Sequence, residues 1–235
     1  MKKQVILLAS ALLLSVGSFA QTLTDVLDKH LLAIGGADNL KALKSAKFTQ
    51  STIAPGQTFD ATATVIFDKA TRIEMSIQGT DILVGTKGES GWVKQGEAAP
   101  QDVPAAQLKA ITESVTLPGL EIANAYLKKL PLEFKGKEKL DGVEYFAVSM
   151  AIQGGTSTFY IDPTTYLIAS RKGTVQAMGQ TVEATVEYDD YKQAGALTLP
   201  YKAKSEAAGQ SVTVRLTAYE PNPTIDETIF DKPKT

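Results

Sequence analysis

Apolar and polar residues alternate strictly in the segment Ala61–Gly79, in two runs separated by Asp68-Lys69-Ala70. A period of two is typical of a strand with one buried face. The apolar positions are Ala61, Ala63, Val65 and Phe67 in the first run and Ile73, Met75 and Ile77 in the second. The segment therefore predicts a β-hairpin with one apolar face. Arg72 lies on the other face unless a bulge changes the alternation.

Similar runs recur along most of the chain and are separated by short segments rich in Gly, Pro and Asp. Such segments are typical of tight turns, and tight turns join antiparallel neighbours. The further runs lie at 46–53, 81–86, 91–94, 132–139, 143–152, 157–161, 166–177, 181–188, 196–205 and 211–219. With the hairpin they predict about eleven strands in one antiparallel meander. A proline-interrupted tail, Pro221–Pro233, is expected to pack as an extended strap.

Three segments have the period of an amphipathic helix instead. The first, 23–34, follows the capping-box pair Thr22 and Asp25. The second is the short segment 37–43, and the third is a helical insert, Pro104–Leu130, that is apolar on one side. An apolar helix stripe has to be buried against another element, so we expect these helices to cover the apolar side of the sheet. The fold class is mainly β with a helical lid.

The first residues have the three-part pattern of an export signal. Lys2-Lys3 is followed by an apolar run at 5–16 and by the small residues Ser18 and Ala20. This pattern predicts a signal peptide, 1–20, that is cleaved before Gln21. The apolar run is too short for a transmembrane helix. The rest of the chain, 21–235, contains no linker and is expected to form a single domain.

Composition excludes several classes of protein. The chain contains no cysteine, so an exported form has to be stabilised by a core instead of disulfides, and it has no cysteine for a lipid anchor. Loss of the signal peptide removes two lysines and changes the formal charge from −2 to −4. A mildly acidic chain without a basic stripe argues against nucleic acid as a partner.

Catalytic and metal-binding patterns are weak. The chain has one histidine, His30, which argues against a Ser-His-Asp triad or a histidine-based metal site. Gly88-Glu89-Ser90-Gly91 is too short for a nucleophile elbow and fits a β-turn better. The carboxylates Asp162, Asp189 and Asp190 are the only basis for a secreted hydrolase or a cation site, and turn capping explains them as well. We therefore expect a protein that is not an enzyme and that needs no cofactor or metal.

The apolar faces of the strands are the strongest signal, and they have two interpretations. Either the sheet is plugged by its own helices, or sheet and helices enclose a cavity for an apolar ligand. Met75, Met150 and Met178 are suited to an adaptable lining, although methionine also fills ordinary cores. The residues alone leave both interpretations open.

The order of motifs resembles that of the outer-membrane lipoprotein-sorting proteins of the LolA/LolB-like superfamily. The resemblance covers the chain after the signal peptide and includes AIGG after the first helix, the strand Arg72–Met75, the strand Gly91–Val93, the helical insert, and the segments Phe159–Ile168, Glu187–Pro200 and Phe230–Pro233.

The resemblance implies a curved, incomplete antiparallel β-barrel whose open side is covered by helices. It implies a monomeric periplasmic carrier that shields the acyl chains of lipoproteins or other lipids and exchanges them with a membrane receptor or a donor complex. Arg72 matches the arginine that locks the family's lid. The expected ligand-binding residues are Val65, Phe67, Arg72, Ile73, Met75, Ile77, Trp92, Leu108, Ile111 and Met150. The alternative is a periplasmic sensor or scaffold that binds a protein partner through the same cleft.

Overall fold

Helices form a small part of the protein. The computed structural model describes residues 21–104, 107–108, 111, 117–152, 155–177 and 180–234. Within them the helices are α1 (Leu23–Ala33), α2 (Ala37–Ala42), α3 (Glu121–Leu127) and the 3₁₀ helix η1 (Glu227–Phe230). The predicted capping box is confirmed, because the amide of Asp25 donates to Thr22 Oγ1 (3.2 Å) and the amide of Thr22 donates to Asp25 Oδ2 (3.1 Å).

Thirteen strands form one sheet. The first six are β1 (Ser45–Ala54), β2 (Gln57–Ile66), β3 (Ala70–Ile77), β4 (Thr80–Lys87), β5 (Ser90–Gln95) and β6 (Gln101–Asp102). The other seven are β7 (Leu132–Leu140), β8 (Val143–Ile152), β9 (Gly155–Ile161), β10 (Ile168–Ala177), β11 (Gln180–Ala194), β12 (Leu197–Ala207) and β13 (Gln210–Pro221).

The strand order shows how the sheet is assembled from two meanders. It runs β6-β5-β4-β3-β2-β1-β13-β12-β11-β10-β9-β8-β7, and all neighbours are antiparallel. The pairing of β1 with β13, which we call the seam, joins the first meander to the second. The two edge strands of the sheet are β6 and β7, and the chain segment 103–131, which contains α3, connects them. The open antiparallel sheet with covering helices confirms the predicted fold class.

Two features of the sheet differ from the sequence prediction. The short strand β6 was not predicted, since two residues are too few to show alternation. Strand β11 continues to Ala194, well beyond the predicted end at Tyr188. The prediction ended too early because Asp190 adopts a positive φ (56°), which disturbs the alternation of apolar and polar residues. The predicted signal peptide, Met178 and parts of the predicted helical insert (105–106, 109–110 and 112–116) lie outside the described residues.

The helices pack on one side of the sheet, which we call the helix side. One cluster of buried side chains joins α1 and α2 to β1, β2 and β12 and includes Phe48, Val65 and Leu199. A second joins α1 and α3 to β8–β11 and includes Phe146 and Phe159, which are 2% and 0% exposed. Both clusters lie toward the same end of the strands, the end where α1 begins and β1 starts. We call this the filled end and the other the open end.

His30 fixes α1 to the turn between β9 and β10. The side chain is buried, and its Nδ1 lies 2.7 Å from the carbonyl oxygen of Tyr166. Because a carbonyl only accepts hydrogen bonds, Nδ1 carries the proton. Burial lowers the pKa of His30, so the ring is neutral. The residue thus has a packing role within the filled end.

Candidate functional site

The helix side of the first meander and of β12 and β13 carries no charged side chain. Residues that pair directly across an antiparallel sheet share a face, and the register therefore assigns each side chain to one side. On β1–β5, β12 and β13, which lie wholly within the described residues, every acidic and basic residue is on the outer side. These residues are Lys47, Asp60, Arg72, Glu74, Asp81, Lys87, Lys94, Lys202, Lys204, Glu206, Arg215 and Glu220.

Apolar side chains on the helix side remain half-exposed at the open end. They are Phe59, Ala61, Ile73, Met75, Ile77, Ile82, Val84, Val93, Ala203, Val212 and Val214. The polar residues among them, such as Gln50, Thr52 and Ser205, are uncharged. The same face is fully buried at the filled end, so the helices cover only part of it. The open end therefore offers a continuous, uncharged and largely apolar surface, which is the candidate functional site.

The segment 103–131, which connects β6 to β7, has its first described contacts on the helix side. Gly91 lies on that side, since it pairs with Thr86, and a Cβ built on Gly91 would lie 2.3 Å from Leu108 Cδ2. Leu108 is buried in this contact. The lack of a side chain at position 91 allows the insert to lie directly on the β5 backbone.

Three of the ten predicted binding residues lie together in the candidate site. Ile73, Met75 and Ile77 follow one another along β3 on the helix side, and all three are half-exposed. Val65 and Phe67 belong to the core of the filled end. Met150 packs at the margin of the second cluster, Leu108 is buried over β5, and Ile111 is half-exposed. Only the β3 residues thus lie fully within the candidate site.

Arg72 and Trp92 lie on the outer side, which corrects the prediction that they line one cavity with Ile73. Arg72 is opposite Gly85, and Gly85 is opposite Trp92. Both side chains bind the C-terminal tail: Arg72 Nη1 donates to the carbonyl of Ile229 (2.8 Å) and Trp92 Nε1 to that of Phe230 (2.9 Å). The alternation along β3 continues without a bulge, and so the position of Arg72 is the one that the sequence pattern favours.

The tail covers the outer side of β3–β5 as a strap. The Phe230 side chain is 1% exposed, and Lys69 and Lys87 form ion pairs with Glu227 and Asp231. The predicted strap is therefore present, and it contains η1, which the sequence pattern did not indicate. Arg72 does hold the carbonyl of a covering helix, as a lid-locking residue would, but that helix is η1 on the outer side.

One buried carboxyl group lies on the helix side near the filled end. Glu121, at the start of α3, accepts a hydrogen bond through Oε1 from the hydroxyl of Tyr188 (2.9 Å). Its Oε2 atom is buried and accepts no hydrogen bond of normal geometry from the described residues. The guanidinium of Arg171 lies on the same side of the sheet, 6.0 Å from the ring of Phe159. We call Glu121, Tyr188 and Arg171 the Glu121 network: Tyr188 is hydrogen-bonded to Glu121, and the charge of Arg171 acts on the Glu121 carboxyl through space.

Burial dominates the electrostatics of this network. It raises the pKa of the Glu121 carboxyl above its ordinary value, against the lowering effects of nearby backbone amides, Tyr188 and Arg171. Burial and the Glu121 charge also raise the pKa of Tyr188 and of Tyr191. The tyrosine hydroxyls thus remain protonated, and Tyr188 donates to the carboxyl. Such a group can hydrogen-bond a polar atom of a ligand within an apolar site.

Glu121 was missed by the sequence analysis because it directly precedes the apolar residues of α3. Its buried position follows from the close approach of the insert to β12. A Cβ on Gly119 would lie 2.8 Å from Pro200 Cδ, and Gly119 has φ 83°, which favours glycine. Ala125, four residues after Glu121, is also buried, and that spacing on one helix face was an available signal.

The outer side carries a different kind of concavity. A groove of about 480 Å³ is lined by residues of the β7–β8 hairpin and of β10–β12, and half of them are charged, among them Lys172, Lys204 and Glu187. Asp189 and Asp190 are paired with Lys202 and Lys192. Within the described residues no group of three His, Asp or Glu side chains could hold a metal ion.

Comparison with solved structures identifies the fold. No protein-family model matches the sequence, and no curated protein matches it significantly. A crystal structure of a LolA superfamily protein from Nitrosomonas europaea matches with a TM-score of 0.58 at 13% identity, covering 89% of this chain and 97% of that one. The chain has a LolA-like fold.

Two further structures support the LolA-like fold. An outer-membrane lipoprotein-sorting protein domain from Vibrio parahaemolyticus matches with a TM-score of 0.56 at 13% identity over 88% of this chain and 95% of that one. A DUF1329 family protein from Desulfovibrio piger matches with a TM-score of 0.57 at 11% identity over 88% and 96%. The resemblance seen in the motif order is thus confirmed at the level of the fold. Among the described residues, no helix is long and apolar enough to cross a membrane.

Proposed function

We propose that this chain is a periplasmic carrier, not an enzyme, that binds the acyl chains of lipoproteins or of other lipids on the open end of the helix side. The observation that supports the proposal most strongly is the composition and exposure of the open end of the helix side. It is half-exposed, continuous across the seam, and free of charged residues on β1–β5, β12 and β13. The first twenty residues would direct export, and 21–235 would act as one lipid-binding domain.

The physical need for such a face is clear from the cost of exposing acyl chains. Each CH₂ group in water costs about 0.8 kcal/mol relative to an apolar environment, so a lipid anchor needs a cover to cross an aqueous space. A charged side chain facing the acyl chain would lose its hydration without compensation. The segregation of all charges to the outer side of these strands avoids that cost.

The Glu121 network would lie at the inner limit of a bound acyl chain. Glu121 and Arg171 lie on the helix side, and Glu121 is hydrogen-bonded to Tyr188, a buried residue of the second cluster. Polar groups placed in this way supply orientation in sites that are otherwise apolar. The charged groove on the outer side has the opposite character and does not suit acyl chains.

A binding experiment with matched variants tests the proposal. Met75→Lys puts a charge on the helix side, whereas Ser76→Lys puts the same charge on the outer side, opposite Asp81. With a fluorescent, uncharged acyl ester as the probe, we expect Met75→Lys to weaken binding by about tenfold or more and Ser76→Lys to leave it unchanged. Equal affinities for both variants would contradict the proposed site.

Native mass spectrometry of protein isolated from its own cell envelope tests the physiological ligand. A co-purifying lipid or lipidated protein supports the carrier. A protein partner bound without lipid, together with no affinity for the acyl ester, would show that the face serves a sensor or scaffold instead. Either result separates carriage of lipid from recognition of protein.

A further inference from the structure

Arg171 is a charged residue at the edge of the uncharged candidate site. It pairs with Val186 across the sheet. Val186 in turn pairs with Ser205, and Ser205 pairs with Val212, so the four side chains lie in one row on the helix side. Ser205 and Val212 belong to the open end. Because neighbouring strands are about 4.8 Å apart, the strand of Arg171 lies about 10 Å from that of Ser205.

The guanidinium of Arg171 has no acceptor among the residues that the structure describes. The side chain is half-buried and lies against the ring of Phe159, but it forms no hydrogen bond or ion pair with a described residue. The carboxylates of the neighbouring strand, Glu187 and Asp189, are on the outer side of the sheet. A charge that is partly removed from water without a partner is unfavourable. Arg171 therefore carries a charge for which these residues supply no partner.

Glu121 does not act as the counter-ion of Arg171. The charge of Arg171 acts on the Glu121 carboxyl through space, but the two groups form no ion pair. Oε1 of Glu121 already accepts from Tyr188, and burial raises the pKa of the carboxyl and so favours its neutral form. The hydroxyl of Tyr191 donates to the carbonyl of Ile168 instead. The positive charge of Arg171 is thus poorly compensated by the groups around it.

An acyl chain with a terminal carboxylate would compensate this charge and cover the open end at the same time. The planar guanidinium of arginine can bind both oxygens of a carboxylate in parallel. One guanidinium compensates one negative charge, which matches a carboxylate better than a phosphate monoester of higher charge. The apolar chain would then extend from the row of Arg171 over the half-exposed, uncharged side chains of the open end.

We propose that the ligand of the helix side is a free fatty acid, whose carboxylate binds Arg171 and whose chain lies on the open end. This inference rests on the proposed function and narrows the class of lipid. It also sets the orientation of the ligand, since the polar end lies inward, next to the filled end, and the methyl end points away from it.

Two fluorescent probes of equal chain length, a fatty acid and its uncharged methyl ester, test the role of the carboxylate. At neutral pH we expect the wild type to bind the acid about tenfold or more tightly than the ester, because the acid gains a charge-assisted hydrogen bond. Arg171→Gln should lower the affinity for the acid to that for the ester and leave ester binding unchanged. The matched control is Lys172→Gln, which removes the same charge from the outer side and should change neither affinity.

The melting temperature separates binding from a purely structural role of Arg171. Without ligand, Arg171→Gln should melt at the wild-type temperature or above it, because the variant loses a charge that has no partner among the described residues. The fatty acid should raise the melting temperature of the wild type more than that of the variant. Arg171→Lys keeps the charge without the planar fork and should recover only part of the preference for the acid.

The outcomes separate this inference from the proposed function. Wild-type protein that binds acid and ester equally well, or an Arg171→Gln variant that keeps the preference for the acid, would overturn the inference and leave the carrier intact. An alkyl phosphate of the same length that binds as tightly as the acid would also overturn the assignment to a fatty acid. Loss of both affinities together with a lower melting temperature in Arg171→Gln would show a structural role instead. Wild-type protein that binds neither probe would contradict the carrier itself.

Discussion

The two ends of the helix side are made from the same strands and differ in what covers them. At the filled end, α1, α2 and α3 bury Phe48, Phe146 and Phe159 almost completely. At the open end, residues of the same type, such as Ile73 and Met75, stay half-exposed. The difference shows that the plugged core, one of the two interpretations left open by the sequence, describes the filled end, and that the surface to which we assign binding is the part that the helices leave uncovered.

The largest expected effect is on stability at the filled end. Phe159→Ala should lower the free energy of unfolding by about 3–5 kcal/mol, because it removes a fully buried ring and leaves a cavity. Met75→Ala at the open end should cost about 1 kcal/mol, since the side chain is only partly buried. Urea unfolding of the two variants measures the comparison. Equal losses would mean that both ends belong to the same core.

An intermediate effect is expected from Glu121, the buried carboxyl of the filled end. The folded protein holds its proton more tightly than the unfolded chain does, since burial raises the pKa of Glu121. The contribution of Glu121 to the free energy of unfolding should therefore be greatest below the ordinary carboxyl pKa and should be lost as pH rises through the raised pKa.

The variant Glu121→Gln isolates this contribution. It keeps an acceptor for the Tyr188 hydroxyl and removes the charge, and should stabilise the protein at neutral pH by about 1–3 kcal/mol. Urea unfolding across pH should show a flatter profile for Glu121→Gln than for wild type, whereas Glu89→Gln in an exposed turn should leave the profile unchanged. A steeper fall in stability of Glu121→Gln with rising pH would contradict the assignment.

The smallest expected effect concerns the outer side. Arg72→Leu removes the hydrogen bond to the carbonyl of Ile229 and should cost about 1 kcal/mol, with faster proteolysis of the tail. Acyl ester binding should not change, because Arg72 faces away from the helix side. Arg215→Leu, at an exposed position of the same side, serves as the control. Loss of ester binding in Arg72→Leu alone would restore the lid-locking role that the family resemblance implied.

The sequence predicted the sheet well because the alternation of apolar and polar residues, which indicates a strand, is a local property of the chain. Alternation in Ala61–Gly79 gave the hairpin and its apolar face, and the observed pairing of Ala61 with Met75 and of Ala63 with Ile73 agrees with it. The same local rule placed Arg72 on the outer side. The expectation that Arg72 lines the cavity came from the family resemblance alone, and the local rule was the better guide.

The parts that were not predicted depend on contacts between distant segments. The burial of Glu121 results from the approach of Gly119 to Pro200, and no pattern within either segment contains that information. Trp92 was expected to bind the ligand, but the tail, far along the chain, binds its side chain on the other side of the sheet. Periodicity tells which face of a strand is apolar and leaves open what will cover it.

The seam has a consequence for how the protein reaches its folded state. It joins the first strand to the last, with residue pairs such as Lys47 and Glu220 far apart along the chain. The two meanders can each form from local contacts, but the sheet is completed only after the final strand has been synthesised. Contacts at such sequence separation slow folding. The first meander therefore stays without its neighbour at β1 until the last strand of the chain is available to pair with it.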